Sequence, residues 1–237
     1  MACYGAPARV DSSFERERAF ERVYAEGRWL HGIDGALCGS GWSDVTAGQG
    51  EKAMYAVVDV VSSMEIRSIV DIPVGDGCFS GALLSVLRNQ SATQTLEYVG
   101  MDIVLKLIDR NRARYGNKYT QFVHTDILAA NARLPPADLI FSRQMLQHLC
   151  NQDVLRFIDL VARSSARFAM LTTFHTDESF ANTDIGCHSG SFRPQDLTKP
   201  PFNLPDPIML FSENYPTDMR VGLGLWSIRT LRHRLIG

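Results

Sequence analysis

The spacing of hydrophobic residues divides the chain near residue 65. Apolar residues recur at helical intervals within residues 11–29 and again within residues 50–64. The stretch between them, residues 30–50, is polar and rich in glycine, which is typical of a loop. We therefore expect an N-terminal helical cap and lid over about residues 1–64.

Beyond residue 65, short apolar runs alternate with helical patterns. Strands are predicted at residues 67–74, 97–104, 120–127, 137–144 and 167–174, and helices at about 76–90, 103–115 and 151–165. Two more strands, at 205–213 and 221–228, follow without a helix between them and fit a closing hairpin. The alternation predicts an α/β fold, a doubly wound, seven-stranded, mostly parallel sheet with helices on both faces. We expect one domain over residues 1–237.

The first strand of this pattern leads into a glycine-rich turn, "SIVDIPVGDGCFS". Gly75 and Gly77 can adopt positive φ angles and let a ligand approach the backbone without a Cβ in the way. The helix that follows would direct its free N–H groups to the same place. A turn of this kind also occurs for purely structural reasons, so the loop alone does not identify a ligand site.

Polar residues at the ends of the next strands strengthen the ligand-site interpretation. Asp102 ends the second strand, Asp126 the third, and Ser142 and Arg143 the fourth. Ligands of doubly wound sheets bind beyond the carboxyl ends of the strands. As a set, these residues predict a nucleotide-type site at that edge.

The glycine spacing disfavours one common type of nucleotide site and excludes another. Ser80 stands where the dinucleotide motif G-x-G-x-x-G has its third glycine, which disfavours a nicotinamide oxidoreductase. The sequence also lacks G-x-x-x-x-G-K-[ST], which excludes a P-loop nucleotidase.

Composition narrows the class of protein further. The formal net charge is −2, which argues against a nucleic-acid partner, and no apolar run approaches the length of a membrane span. The N-terminus has no pattern of a signal peptide. The five cysteines are odd in number and form no C-x-x-C pair, so we expect neither a disulfide framework nor a zinc site. We therefore expect the protein to work in a reduced compartment. A cytoplasmic monomer or homodimer without membrane contact fits these observations.

The pattern D-x-x-x-G-x-G, with an acid after each of the next two strands, resembles the class I S-adenosylmethionine-dependent methyltransferases. Their usual first motif is D-x-G-x-G-x-G, and here Pro73 replaces the first glycine. The resemblance implies S-adenosylmethionine as cofactor, with Asp71 orienting the loop, Asp102 holding the ribose and Ser142–Arg143 facing the sulfonium. The cofactor-binding residues it implies are Trp42, Asp71, Pro73, Gly75, Gly77, Asp102, Ile103, Asp126, Ile127, Ser142 and Arg143.

A narrower resemblance extends over nearly the whole chain. A small subgroup of these enzymes, some associated with glycan modification, carries D-x-P-C-G-D and P-P-F-N-x-P motifs. This chain departs from it at Val74 and Gln144, and by extra residues between Gly186 and Arg193. The matching stretches are "CGSGWS", "DIPVGD", "SRQMLQHL", "MLTTFH", "NTDIGCHSGSFRPQDLTKPPFNLPDPI" and "LGLW". The acceptor is then predicted to be a small molecule or glycan, methylated on oxygen.

Methylation of a hydroxyl requires a base, and the histidines and acids near the predicted edge are the candidates. We expect catalytic roles for His148, His175 and Asp177, with His175 and Asp177 as an acid–base pair. The long segment 175–205 should form one wall of the acceptor pocket. The predicted substrate-binding residues are Arg143, His148, His175, Asn182, Asp184, Arg193 and Asn203.

Several alternatives remain open at this point. The acceptor atom could belong to a carboxylate, an amine or a thiol, and a carboxylate would need guanidinium groups rather than a base. The chain could also be a non-catalytic, cofactor-binding regulatory subunit. A metal site formed by His175, Asp177 and His188 is a further alternative, but their spacing is not diagnostic and we expect no metal.

Overall fold

The computed structural model describes residues 12–28, 38, 50–187, 190–213 and 220–236. Six helices and seven strands cover most of these residues. The helices are α1 Ser12–Ala25, α2 Glu51–Ser63, α3 Cys78–Arg88, α4 Leu105–Tyr115, α5 Asn151–Arg163 and α6 Ile228–Ile236, and a 3₁₀ turn spans Leu146–His148. The strands are β1 Ser68–Asp71, β2 Glu97–Asp102, β3 Thr120–His124, β4 Leu139–Ser142, β5 Phe168–Phe174, β6 Met209–Ser212 and β7 Val221–Ser227.

The strands form one seven-stranded sheet in the order β3-β2-β1-β4-β5-β7-β6. Strands β1 to β5 pair in parallel, whereas β7 is antiparallel to both β5 and β6. Because β6 is antiparallel to β7, it runs in the same direction as β5. The carboxyl ends of six strands therefore meet at one edge, and the predicted doubly wound fold is confirmed.

Helices cover both faces of the sheet and enclose two apolar clusters. On one face, α2 and α3 bury side chains such as Val57 and Leu83 against the strands. On the other face, α5 buries Val154, Phe157 and Val161, which recur at intervals of three and four residues. Full burial of each such side chain stabilises the fold by about 1.5–3 kcal/mol.

The C-terminal segment, whose basic residues are typical of a solvated helix face or tail, is an ordered helix on the sheet. In α6, Ile228 and Leu231 are buried in the same cluster as α5. The Arg232 guanidinium donates hydrogen bonds to the carbonyl oxygens of Ala162 and Ser164, at 2.9 and 2.5 Å. Arg232 therefore closes the C-terminal end of α5, where unpaired carbonyls need donors.

The expectation of unpaired cysteines is wrong. Disulfides join Cys38 to Cys78 and Cys150 to Cys187, across sequence separations of 40 and 37 residues. The cysteine spacing could not reveal these pairs because each pair joins residues that are far apart in sequence and meet only in the folded chain. The inference of a reduced compartment therefore loses its basis, and the cytoplasmic location stays an expectation.

Among the described helices, none has both the length and the apolar composition needed to cross a membrane.

The contact between β6 and β7 depends on a glycine, which gives a test of the sheet edge. A Cβ at Gly222 would lie 2.8 Å from the carbonyl oxygen of Phe211 on β6. We expect Gly222→Ala to lower the free energy of unfolding by about 1–3 kcal/mol, because backbone cannot move aside cheaply. This loss exceeds the gain of about 0.4–1 kcal/mol from a stiffer unfolded chain.

Urea denaturation of both Gly222→Ala and Gly186→Ala measures this effect. Gly186 is exposed and a Cβ there would meet nothing within 4 Å, so Gly186→Ala should leave the unfolding free energy nearly unchanged. Equal stabilities for the two variants would contradict the packing of β6 on β7.

Candidate functional site

The loop between β1 and α3 has the backbone that its glycines predict. Gly75 and Gly77 have φ angles of 59° and 79°, in the left-handed region. A Cβ at Gly77 would collide with the side chain of Asn111 on α4. The Ile72–Pro73 peptide bond is cis. The close approach of α4 therefore requires glycine at position 77, independently of any ligand.

Asp71 ends β1 and fixes this loop to the following helix. Its carboxylate accepts hydrogen bonds from the Ser80 hydroxyl, at 2.8 Å, and from the Tyr98 hydroxyl. Asp71, Ser80 and Tyr98 are all buried. Asp71 thus joins the end of β1 to α3 and β2, and Ser80, at the position where a dinucleotide motif has glycine, is one of its two donors.

Asp102 ends β2 and holds the same loop from the neighbouring strand. Its carboxylate accepts the backbone N–H of Gly75 and of Val104, each at 2.9 Å. The Asn111 amide donates to the Gly75 carbonyl at 2.9 Å. Gly75, the centre of the loop, is therefore held on both sides of its peptide group by β2 and α4.

Burial sets the protonation of both carboxyl groups. Burial raises the pKa of Asp71 to about 7, against the lowering effect of its hydrogen bonds from Tyr98 and Ser80. Burial also raises the pKa of Asp102 to about 6, opposed by the backbone N–H groups of Val104 and Gly75. At neutral pH Asp102 is mostly ionised, which suits a carboxylate that accepts hydrogen bonds from ligand hydroxyls.

Asp126, which follows β3, binds the N-terminal helix. The Arg16 guanidinium of α1 reaches Asp126 at 3.0 Å and Asp153 of α5 at 3.4 Å, and the Ser13 hydroxyl donates to Asp126 at 2.6 Å. Although burial opposes the effect, these donors hold the pKa of Asp126 below its ordinary value. The sequence analysis missed Arg16, because nothing in the sequence around it indicates that this residue of α1 is buried.

The end of β4 carries a buried ion pair. The Nε and Nη2 atoms of Arg143 donate to the Glu213 carboxylate, at 2.9 and 2.6 Å, and both side chains are almost fully buried. The Arg143 guanidinium lies 4.7 Å from the ring centre of Phe79, at the start of α3. Ser142 beside it is completely buried. Ser142 and Arg143 thus lie at the carboxyl end of β4, with Arg143 against the start of α3.

Glu213 is a site residue that the sequence analysis missed. It directly follows β6, in "MLFSE", and therefore lies at the same edge as Asp102 and Arg143. The rule that found Asp102, an acid at a strand's carboxyl end, could also have found Glu213. The direction of β6 decides at which edge of the sheet Glu213 lies, and only the antiparallel pairing with β7 fixes that direction.

His148 lies in the 3₁₀ turn that follows β4. Its Nδ1–H donates to the Ser191 carbonyl at 3.0 Å, and its ring lies 5.9 Å from that of Phe192. Burial lowers the pKa of His148 to about 4, and the charge of Arg193 acts in the same direction. The imidazole is consequently neutral at physiological pH, with Nε2 as its basic nitrogen.

The polar side chains predicted to bind substrate in the segment 175–205 make hydrogen bonds within the segment and to the start of α5. The backbone N–H of Asp196 donates to the Asn182 Oδ1 at 2.9 Å, and the Asn182 Nδ2 donates to the Pro200 carbonyl at 2.8 Å. The Asp184 carboxylate accepts the Asn151 N–H at 2.8 Å and so caps α5. These contacts explain how a long loop remains ordered over the sheet edge.

Arg193 is likewise a structural residue of this segment. Its buried guanidinium donates to the Thr183 carbonyl at 2.7 Å, to the Asn151 side chain at 2.7 Å and to the Gln195 side chain at 2.5 Å. Arg193 therefore ties the segment to the N-terminus of α5.

Of the remaining predicted residues, His175, Asp177 and Asn203 are exposed, whereas Ile127 is buried. Asp177 accepts the N–H and hydroxyl of Ser179, and within the described ranges no hydrogen bond joins it to His175. The expected acid–base pair is therefore absent there, because Asp177 caps its own turn. Asn203 is exposed with a φ of 48°, and Ile103 and Ile127 lie beside Asp102 and Asp126 in sequence. Trp42 and His188 lie outside the described residues.

Comparison with known proteins identifies one matching domain family and proteins of similar fold. Residues 74–167 match the methyltransferase domain family. The fold is similar to that of magnesium protoporphyrin IX methyltransferase from Synechocystis PCC 6803, solved with bound S-adenosylmethionine (12% identity, 94% of this chain and 99% of that chain, TM-score 0.60). It is also similar to 1,6-didemethyltoxoflavin-N1-methyltransferase from Burkholderia thailandensis (13% identity, 95% and 93% of the two chains, TM-score 0.60). No curated protein matches the sequence.

The raised pKa of Asp71 predicts a pH-dependent stability. The folded pKa of about 7 exceeds the ordinary value of 3.8, so the stabilising contribution is complete below about pH 4 and is lost as pH rises through 7. Asp71→Asn keeps an acceptor for Ser80 and Tyr98 but does not titrate. The unfolding free energy of the native protein should fall relative to this variant by on the order of 4 kcal/mol between pH 4 and 8.

Chemical denaturation at several pH values measures this difference. Asp59→Asn, at an exposed position on α2, is the matched control and should parallel the native protein throughout the pH range. A difference between native protein and Asp71→Asn that does not change with pH would contradict the buried-carboxyl assignment.

Proposed function

We propose that this chain, an S-adenosylmethionine-dependent methyltransferase by its methyltransferase domain and class I fold, methylates a hydroxyl oxygen of a small molecule or carbohydrate. The observation that carries the choice of acceptor is the state of the two candidate anion-binding arginines. Both are already bound by groups of the protein itself, Arg143 by Glu213 and Arg193 by the loop 183–195.

The residues of the glycine loop fit the cofactor. Gly75 and Gly77 place no Cβ on the loop beside the buried carboxylate of Asp102, and hydrogen bonds within the protein hold their backbone groups in place. We infer that Asp102 accepts hydrogen bonds from the ribose hydroxyls while it holds the loop through the Gly75 N–H. When bound, S-adenosylmethionine would supply a methyl group activated by its sulfonium: the methyl–sulfur bond would break as the methyl–oxygen bond forms, and S-adenosylhomocysteine would be released.

The charge balance of the site favours a neutral acceptor over a carboxylate. Glu213 neutralises Arg143, and a carboxylate acceptor would bring a second negative charge beside it. Burying an unpaired charge costs several kcal/mol, whereas a hydroxyl needs only hydrogen bonds. An amine acceptor is also disfavoured, because a nearby buried carboxylate keeps an amine protonated and therefore unreactive.

A hydroxyl acceptor must lose its proton at or near transfer, and His148 is the candidate base that the geometry favours. Its Nδ1–H is held by the Ser191 carbonyl, so the basic Nε2 has a fixed direction. His175 and Asp177 are exposed, and Asp177 is occupied by Ser179. The Arg143–Glu213 ion pair and the hydrogen-bonded glycine loop hold the acceptor side of the site rigid. A rigid site supports catalysis by positioning the reactants.

Thermal unfolding with cofactor analogues tests the proposed activity. S-adenosylhomocysteine should raise the melting temperature and NAD should not, because ligands stabilise the fold that binds them. We expect Asp102→Ala to weaken S-adenosylhomocysteine binding at least about tenfold, since a charged hydrogen-bond partner contributes about 1.5–3 kcal/mol. Asp109→Ala, at an exposed acid on α4, should bind normally. Stabilisation by NAD instead would refute the methyltransferase.

Loss of the base should separate catalysis from cofactor binding. We expect His148→Gln to reduce kcat by about 10²–10⁴-fold while the thermal shift by S-adenosylhomocysteine is unchanged. Turnover of sugars, phenols, carboxylates and thiols, followed as S-adenosylhomocysteine release, provides the measurement. His233→Gln, at an exposed position on α6, is the control. Unchanged turnover in His148→Gln, or preferred turnover of carboxylates, would contradict the proposal.

A further inference from the structure

Buried polar atoms without partners are concentrated at one place in the molecule. Six buried side-chain nitrogen or oxygen atoms of the described residues have no hydrogen-bond partner. One belongs to Asn111 beside the glycine loop, and the other five belong to the end of β4 and the turn after it, to Gln195, which bonds to β5, and to Glu213, which follows β6. These five are Ser142 Oγ, Gln144 Nε2, Gln147 Oε1, Gln195 Nε2 and Glu213 Oε1.

Three of these residues are glutamines that surround the end of β5, and we refer to Gln144, Gln147 and Gln195 as the carboxamide cluster. The backbone N–H of Gln144 donates to the Thr172 hydroxyl at 3.0 Å. The Gln195 carbonyl accepts the N–H of Phe174, also on β5, at 2.8 Å. The cluster is therefore built on the carboxyl end of a central strand.

Each glutamine has one amide atom fixed by the protein. The Gln147 Nε2 donates to the Gln144 Oε1, and the Arg193 guanidinium donates to the Gln195 Oε1 at 2.5 Å. The Arg193 N–H donates to the Gln147 carbonyl at 3.1 Å, which brings the two parts of the cluster together. These bonds orient the amides, so the unpartnered atoms are the Nε2 of Gln144, the Oε1 of Gln147 and the Nε2 of Gln195.

Leaving such atoms unpaired is unfavourable in a protein interior. Gln147 and Gln195 are only 1% and 2% exposed, and each unsatisfied buried group costs about 1–3 kcal/mol. Native proteins satisfy nearly all such groups, so a concentration of them at a ligand-binding edge indicates groups that a ligand completes. The cluster presents two donors and one acceptor and carries no charge.

We propose that the carboxamide cluster binds neighbouring hydroxyl groups of a carbohydrate acceptor. A hydroxyl both donates and accepts, so adjacent hydroxyls can satisfy the Nε2 atoms of Gln144 and Gln195 and the Oε1 atom of Gln147 together. Ser142, next to Arg143 in sequence, and Glu213, which accepts a hydrogen bond from Arg143, each have one further unpaired oxygen. This inference rests on the proposed function, because it names the class of acceptor at that site.

Isosteric substitutions can test the cluster without breaking its internal bonds. Gln144→Glu and Gln195→Glu each keep the Oε1 that accepts a hydrogen bond and replace only the unpartnered Nε2 donor by an oxygen. Gln121→Glu, at an exposed position on β3, introduces the same charge away from the cluster and is the matched control. Circular dichroism verifies the fold, and two separate positions guard against the failure of one variant.

Calorimetric titration of the S-adenosylhomocysteine complex with a panel of mono- and disaccharides gives the readout, with uracil and nicotinamide as planar amide probes. We expect at least one saccharide to bind and neither amide probe to do so. Both cluster variants should weaken that saccharide about tenfold or more, with S-adenosylhomocysteine affinity unchanged, and the control should match the native protein.

The outcomes are distinguishable. Failure to bind S-adenosylhomocysteine at all would overturn the proposed function. Normal S-adenosylhomocysteine binding without any saccharide binding, preference for an amide probe, or saccharide affinity unaffected in Gln144→Glu and Gln195→Glu would overturn the role of the carboxamide cluster alone.

Discussion

The shared direction of six strands is the constraint on which the rest of this protein depends. Strands β1 to β5 are parallel, and β7 is antiparallel to both of its neighbours, β5 and β6. Because β6 then runs in the direction of β5, six carboxyl ends meet at one edge of the sheet. Residues far apart in sequence, such as Asp71 and Glu213, therefore lie on one surface. Backbone hydrogen bonds and buried apolar side chains fix the position of this edge. The placement of the polar residues is therefore a consequence of the sheet.

Buried carboxylates turn this edge into a rigid binding surface. Asp71 and Asp102 hold the glycine loop by hydrogen bonds to α3, β2 and the loop backbone. Their burial raises both pKa values, which shows that the protein accepts an electrostatic penalty at this place. A loop fixed in this way is preorganised, so less ordering is required when a ligand binds.

The acceptor side is organised on the same principle, with polar side chains serving first as structure. Arg193 and Asn182 fasten the long segment over the sheet, and Arg16 joins the N-terminal helix to Asp126 and Asp153. Both disulfides also tie loops to helices that begin at this edge, at Cys78 of α3 and at Cys150 before α5. With the charged groups engaged in scaffolding, the neutral amides of Gln144, Gln147 and Gln195 are left to meet a ligand.

The sequence by itself determined the elements, the fold class and the cofactor edge. Hydrophobic periodicity reports burial, which is local along a strand or helix, and glycine and aspartate after a strand report a ligand loop in the same local way. The position of Gly75, Gly77, Asp102 and Arg143 at the carboxyl edge of the sheet was predictable for this reason. Only the tertiary structure decided the cysteine pairs, the partner of Arg143 and the structural use of Asn182 and Arg193. Those assignments depend on which distant groups meet, and a one-dimensional pattern contains no information on which of several equivalent polar side chains finds a partner and which is left for the ligand.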